Sequence, residues 1–195
     1  MQLSDQPNIE LARAREAAQE MAAAVSLDEY EEHWKEFLRR LERGWSKAHA
    51  HYGKSRKWNG WQGRVDGLRR TDPLLSYLVN ARGAEEHTVN DITTRHPGRI
   101  GINPAEGNSL YIERMEVNNG VVSISSPQNL RIEFTPGRMG LLPVTNRGRT
   151  YATPTSHLGN SIDPHNVSAV ASMALRFYEH VLRDAEAFFV KQGRE

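Results

Sequence analysis

Ser26-Leu27-Asp28-Glu29-Tyr30-Glu31-Glu32-His33-Trp34, running on through Phe37, Leu38, Leu41, Trp45 and Ala48, is the stretch from which the fold is read. Ser26 and Glu29 form a capping box: the serine oxygen accepts the glutamate N–H, and the glutamate carboxylate reaches back. From Tyr30 onward the apolar residues fall at offsets 0, 4, 7, 8, 11, 15 and 18. Those offsets draw one stripe at the 3.6-residue period, so a long core helix is expected to about His51. A stripe of that width has to be buried against other helices. The segment from Asn8 to about Val25, rich in Ala and Glu, supplies one. Asp72 as N-cap and Pro73 in the first turn open another, which buries Leu74, Leu78, Ala81, Val89 and Ile92 and stops before Pro97. Asp163-Pro164 is expected to cap a last helix, with Val167, Val170, Ala171, Ala174, Phe177, Tyr178, Val181, Leu182, Ala185 and Phe189 on its buried side.

Residues 97–158 change character. Leu110 to Val117 and Val121 to Ser125 flank Asn118-Asn119-Gly120, and Leu141 to Thr145 and Arg149 to Thr153 flank Asn146-Arg147-Gly148. Both turns want positive φ, the mark of a hairpin. With Leu130 to Thr135 alternating in strand fashion, a small antiparallel sheet of four or five strands is expected, Arg131, Glu133, Arg147 and Arg149 lying on its exposed face. The fold class read from the chain is therefore α+β: a single domain over 1–195, with a four-helix bundle from 8–96 and 160–192 and a β insertion over 97–158.

At 195 residues the chain is long enough to bury a real core, and 38% hydrophobic with 25% charged residues is ordinary for a globular protein. No apolar run approaches the ~20 residues of a membrane span. Met1-Gln2-Leu3-Ser4-Asp5 lacks the basic start and apolar stretch of a signal peptide, so a cytoplasmic protein is expected, with no membrane partner. The absence of cysteine rules out disulfides, thiol catalysis and cysteine-ligated zinc.

The net charge of +1 conceals a segregation. Residues 1–38 sum to −6, residues 39–70 to +8 and residues 71–195 to −1. An anionic partner is expected at the basic block. Within it, residues 52–70 carry four glycines and no helical period, and read as a long loop between helices. Lys54, Arg56, Lys57, Arg64, Arg69 and Arg70 would meet phosphates, while Trp58 and Trp61 would stack on unpaired bases. Alternatively the two indoles fold back over the end of the bundle and the charges are simply solvated.

The helix over 71–96 holds Ala81-Arg82-Gly83-Ala84-Glu85-Glu86-His87. An arginine grips phosphate through two parallel hydrogen bonds at any working pH, and a histidine accepts or returns a proton near neutrality. Together they are the groups needed to cut RNA without a metal. Glu86, four residues past Arg82, is placed to hold the guanidinium, and Asp91, four past His87, to orient the ring. Five residues at about 100° set Arg82 and His87 roughly 140° apart on an ideal helix. A symmetric dimer would bring both to one cleft and Gly83 would let the helix bend, but a lone chain would not suffice, so catalysis is expected to require a dimer. The same spacing also suits a plain Arg82–Glu86 or Arg82–Glu85 ion pair with His87 on a solvated face.

An Arg-x4-His pair on a late helix of a bundle, within the run Asp72-Pro73-Leu74-Leu75-Ser76-Tyr77-Leu78 through His87, resembles the HEPN superfamily, and among it the bacterial members of unassigned function. The resemblance covers residues 10–95 and 160–192. Gly83 stands where relatives usually carry Asn or Asp, and Val89 where a toxin branch carries Tyr. The resemblance implies a homodimeric, metal-independent endoribonuclease with Arg82 and His87 catalytic, RNA as partner, no cofactor, a toxin or antiviral-defence setting, and an antitoxin or regulatory protein as a second partner. The rivals are a non-catalytic RNA- or protein-binding scaffold on the same bundle, and a phage or bacterial structural protein. His49-Ala50-His51 cannot aim both rings from one helix face at a metal. His157, Asp163 and His165 share a loop that suits either a cation or a capping Asp163.

Overall fold

The computed structural model describes residues 6–87 and 90–191, with 190 and 191 by backbone alone. In chain order the elements are α1 (Gln6–Ala23), α2 (Leu27–Tyr52), α3 (Trp58–Thr71), α4 (Pro73–His87), β1 (Thr93–His96), β2 (Arg99–Pro104), β3 (Arg114–Asn118), β4 (Val121–Ser125), β5 (Leu130–Thr135), β6 (Arg138–Leu141), β7 (Val144–Asn146), β8 (Arg149–Tyr151), β9 (Ser156–His157), β10 (Asn160–Ser161) and α5 (Val167–Lys191). The fold is α+β. The chain divides into two compact units: the helices with everything up to Arg95 and from Met139 onward, and the segment His96–Arg138.

In the helical unit α2 does what its stripe requires. Ser26 Oγ accepts from Glu29 N at 3.1 Å, and Glu29 Oε2 accepts from Val25 N at 3.0 Å, closing the capping box. Trp34, Phe37, Leu38, Leu41, Trp45 and Ala48 are buried, and Trp34 stacks on Phe37 at 5.6 Å. Gly44 lets α1 come close: a Cβ there would lie 3.2 Å from Leu11 Cδ2. Leu74, Leu75, Tyr77 and Leu78 of α4 and Val170, Ala171, Ala174, Tyr178 and Leu182 of α5 complete the core.

The hairpin at Asn146-Arg147-Gly148 forms as expected, with Arg147 and Gly148 at φ 51 and 75°. It packs on α4 in the helical unit, Val144 entering the core. β9–β10 turns through Leu158 and Gly159 at φ 48 and 84°. In the other unit β3–β4 turns through Asn119-Gly120 at φ 51 and 81°, and β2 pairs with β5 from Arg99↔Thr135 to Pro104↔Leu130.

Five expectations are corrected. Residues 58–71 are helix α3, not loop, because Trp58, Trp61, Val65 and Arg69 share one inward side. The described helices are therefore five rather than four. The helix opened by Pro73 ends at His87, and residues 93–96 are strand; Thr88 and Val89 lie outside the described residues. In place of one sheet the described residues form five two-stranded ladders, β1–β6, β2–β5, β3–β4, β7–β8 and β9–β10, and His96–Arg138 is a compact unit of its own. The last helix is capped by Asn166, whose Oδ1 accepts from Ala169 N at 3.0 Å, while Asp163 Oδ1 accepts from His165 N in the turn before it.

Candidate functional site

Helix α4 is buried through Leu74, Leu75, Tyr77, Leu78, Ala81, Gly83 and Ala84, with Arg82 half-buried and Glu86 and His87 exposed at its C-terminal end. Arg82, Glu86 and His87 cluster there. Arg82 Nη2 lies 2.6 Å from Glu86 Oε1, and His87 Nε2 lies 3.9 Å from Glu86 Oε2. One carboxylate thus pairs with Arg82 one turn back and has the ring of the next residue, His87, at the edge of ion-pair range. Arg82 Nε is buried with no hydrogen-bond partner among the described residues, while the His87 side chain is 73% exposed. The cluster can hold an anion against the guanidinium and move a proton at the imidazole.

Two supporting assignments change. Asp91 follows the end of α4 and so is not one helical turn beyond His87; it lines a cleft with Glu31, Thr93 and Arg95. Arg95 is itself held by Glu31 at 2.6 Å and by Asp28 at 2.5 Å. Gly83 lies inside the continuous helix Pro73–His87. It makes room for Asn146, whose Nδ2 would be 2.5 Å from an added Cβ and donates to Asn80 Oδ1 at 3.0 Å.

The basic stretch is sorted by α3. Trp58 is buried among Trp45, Tyr52, Trp61 and Phe189, with centroids 5.2–5.8 Å from its ring, so it cannot stack on a base. Trp61 lies half-buried in the same cluster. Arg69 is also turned inward: its guanidinium donates to both oxygens of Glu42, at 2.9 and 2.7 Å, contacts the Tyr178 hydroxyl and stands over Trp45 at 5.3 Å. It serves the core and is not offered to phosphate. Lys54, Arg56, Lys57, Arg64 and Arg70 remain on the surface.

Two groups of buried charge complete the electrostatics. Glu10, fully buried, accepts from Lys47 Nζ at 2.6 Å and Arg40 Nη1 at 3.0 Å, with Arg43 Nε at 3.3 Å. Burial would raise its carboxyl, but Lys47 and Arg40 outweigh burial and hold it below the usual range. Asp72 caps α4 through Leu75 N at 3.0 Å, and also accepts from His157 Nδ1 at 2.9 Å and Leu158 N at 2.7 Å. Burial pushes its carboxyl up, and these three donors pull it lower than an ordinary aspartate. His157, left in the sequence to a loop cation or to nothing, is thus the buried partner of a residue 85 positions away. Its place directly before Leu158-Gly159 was the one local signal for it.

Among the described residues no group of three or more His, Asp or Glu side chains is placed to hold a metal ion, and no helix is long and apolar enough to cross a membrane. The fold defines an α+β protein with a helical core. No family model, curated protein or solved structure matches the chain.

Proposed function

We propose that this chain is a metal-independent endoribonuclease on a HEPN-like bundle, acting as a cytoplasmic homodimer. The gathering of Arg82, Glu86 and His87 at the C-terminal end of α4 is the observation that carries the reading. In the reaction, a ribose 2′-hydroxyl attacks the adjacent phosphorus. Its proton passes to His87 Nε2, the O2′–P bond forms and the P–O5′ bond breaks, and a protonated imidazole, here or on a second copy, returns a proton to O5′. Arg82 offsets the charge that builds on the phosphoryl oxygens, and Glu86 exchanges the guanidinium for the imidazolium as the phosphate binds. The product is a 2′,3′-cyclic phosphate. Exposed Lys54, Arg56, Lys57, Arg64 and Arg70 would add phosphate contacts that read no sequence.

The test is incubation of the purified protein with structured RNA in excess EDTA. Cleavage leaving cyclic phosphate ends is expected, with Arg82→Ala and His87→Ala each lowering the rate at least about 100-fold. RNA binding that falls steeply with salt and survives both substitutions, without cleavage, would establish the scaffold reading instead. That rival is favoured by the occupied state of Arg82, whose charge Glu86 already neutralises.

A further inference from the structure

The segment His96–Arg138 has no buried residue of its own. Its ladders are nevertheless patterned as half-buried sheet. Along β2–β5 the pairs Ile100↔Phe134, Ile102↔Ile132 and Pro104↔Leu130 share one face, while Arg99↔Thr135, Gly101↔Glu133 and Asn103↔Arg131 share the other. Along β3–β4, Met115↔Ile124 and Val117↔Val122 share one face, with Arg114↔Ser125, Glu116↔Ser123 and, beside the turn, Asn118↔Val121 opposite. An alternation this regular places one side against something apolar. Elsewhere in the chain that side is covered: Val144 of β7 and Leu141 of β6 are in the helical core. Here Phe134 is 73% exposed, Val117 63% and Ile132 61%, with Ile100 and Met115 more than half exposed.

We propose that this segment is the surface through which two copies of the chain associate, apolar ribbon face against apolar ribbon face. The area argues for it. Each of the five side chains leaves on the order of 100 Å² open, roughly 300 Å² on β2–β5 and roughly 200 Å² on β3–β4, roughly 500 Å² together, so the interface has to use both ribbons. A stable interface buries about 800 Å² per partner, a little over half of it apolar, which is the same quantity. Charge argues for the same occupant. The segment carries four arginines and four glutamates, so identical copies meet without net repulsion. A nucleic acid would call for a cationic surplus that the segment lacks. The charges within the two ladders also keep to the polar face, where Arg131 pairs with Glu133 at 3.1 Å and Arg114 with Glu116. A two-fold axis makes one patch complementary to itself, and a single copy would leave the ribbons open to uncontrolled pairing. The inference concerns association alone and does not rest on the ribonuclease reading.

Sedimentation velocity of the full chain across micromolar concentrations tests it. The wild type is expected to be a dimer. Phe134→Arg should raise the dimer dissociation constant about 100-fold or more, as loss of a central aromatic anchor does. Thr135→Arg, which adds the same charge one residue along on the polar face, should leave it unchanged. Val117→Arg repeats the test on the second ribbon, and circular dichroism checks that each variant keeps its helices. A monomeric wild type, or a dimer indifferent to both apolar substitutions, would overturn the proposal. RNA cleavage measured on the same proteins separates the two readings. Monomers that still cut sink the composite ribonuclease site and leave the interface standing, whereas dimers that persist through Phe134→Arg and Val117→Arg do the reverse.

Discussion

Asp72 uses two oxygens for three bonds: it caps α4 at Leu75 N and ties the β9–β10 turn to that helix through His157 and Leu158. Its folded carboxyl is depressed below the ~3.9 of an unfolded aspartate, so its contribution is present above about pH 4 and is lost as pH falls through the folded value. Asp72→Asn turns an amide N–H toward one of these donors and should cost about 2 kcal/mol at neutral pH in urea unfolding. The gap to wild type should close on acidification. Gly83 gives a second prediction. Gly83→Ala gains helix propensity but displaces the Asn146 amide from Asn80, so stability should change by less than about 1 kcal/mol. In an Asn146→Ala background the same change should stabilise by about 1 kcal/mol, a non-additivity that a double-mutant cycle reads directly. The capping role of Asp72 was legible, since Asp-Pro before an apolar run is a local signal. Its bond to His157 was not, because nothing in one strand of text relates positions 85 apart.

Helix α2 was legible end to end, because an amphipathic period and a capping box say the same thing. Helix α3 was hidden for the opposite reason. Gly60, Gly63 and Gly67 lower its intrinsic propensity, and Arg69 occupies a buried position that a hydropathy reading treats as surface. What holds α3 is tertiary: Trp58 and Trp61 stack with Tyr52 and Phe189, and Arg69 is neutralised by Glu42. Trp58→Ala should therefore cost about 3–5 kcal/mol, measured by denaturant unfolding. The glycines behave differently. A Cβ at Gly60, Gly63 or Gly67 meets nothing within 4 Å and none has a positive φ, so each Gly→Ala change should stabilise by about 0.5–1 kcal/mol. A loss of stability at any of them would mean that α3 is not the helix described.

Across the whole molecule the segregation of charge along the chain is undone by folding. The first helix meets the cationic second half of α2, where Arg40, Arg43 and Lys47 of the +8 block surround Glu10. Part of the anionic partner expected for that block is the protein's own N-terminal helix. Burial would raise Glu31 as well, but Arg95 and Lys35 hold it low. With Glu10, Glu31 and Asp72 all depressed, stability should be complete above the unfolded carboxyl values near 4 and fall as pH drops through the folded ones. Urea midpoints followed from neutral pH into the acid range measure the slope, and Glu10→Gln should flatten it. An unchanged slope would mean that Glu10 is not held by its cations in solution.

Local periodicity, caps and turn residues determined the α+β class, helix α2, the two Asn-Gly and Arg-Gly hairpin turns and the presence of Arg82 and His87 on one helix. Those signals act over a few residues and are written in consecutive positions. Only the tertiary structure decided that the glycine-rich basic stretch is a helix, that Arg69 and Trp58 face inward, that Glu86 stands between the arginine and the histidine, and that the apolar side of the His96–Arg138 ribbons is left open. Each of those outcomes depends on which distant surface supplies or withholds burial, and burial is a property of the packed chain.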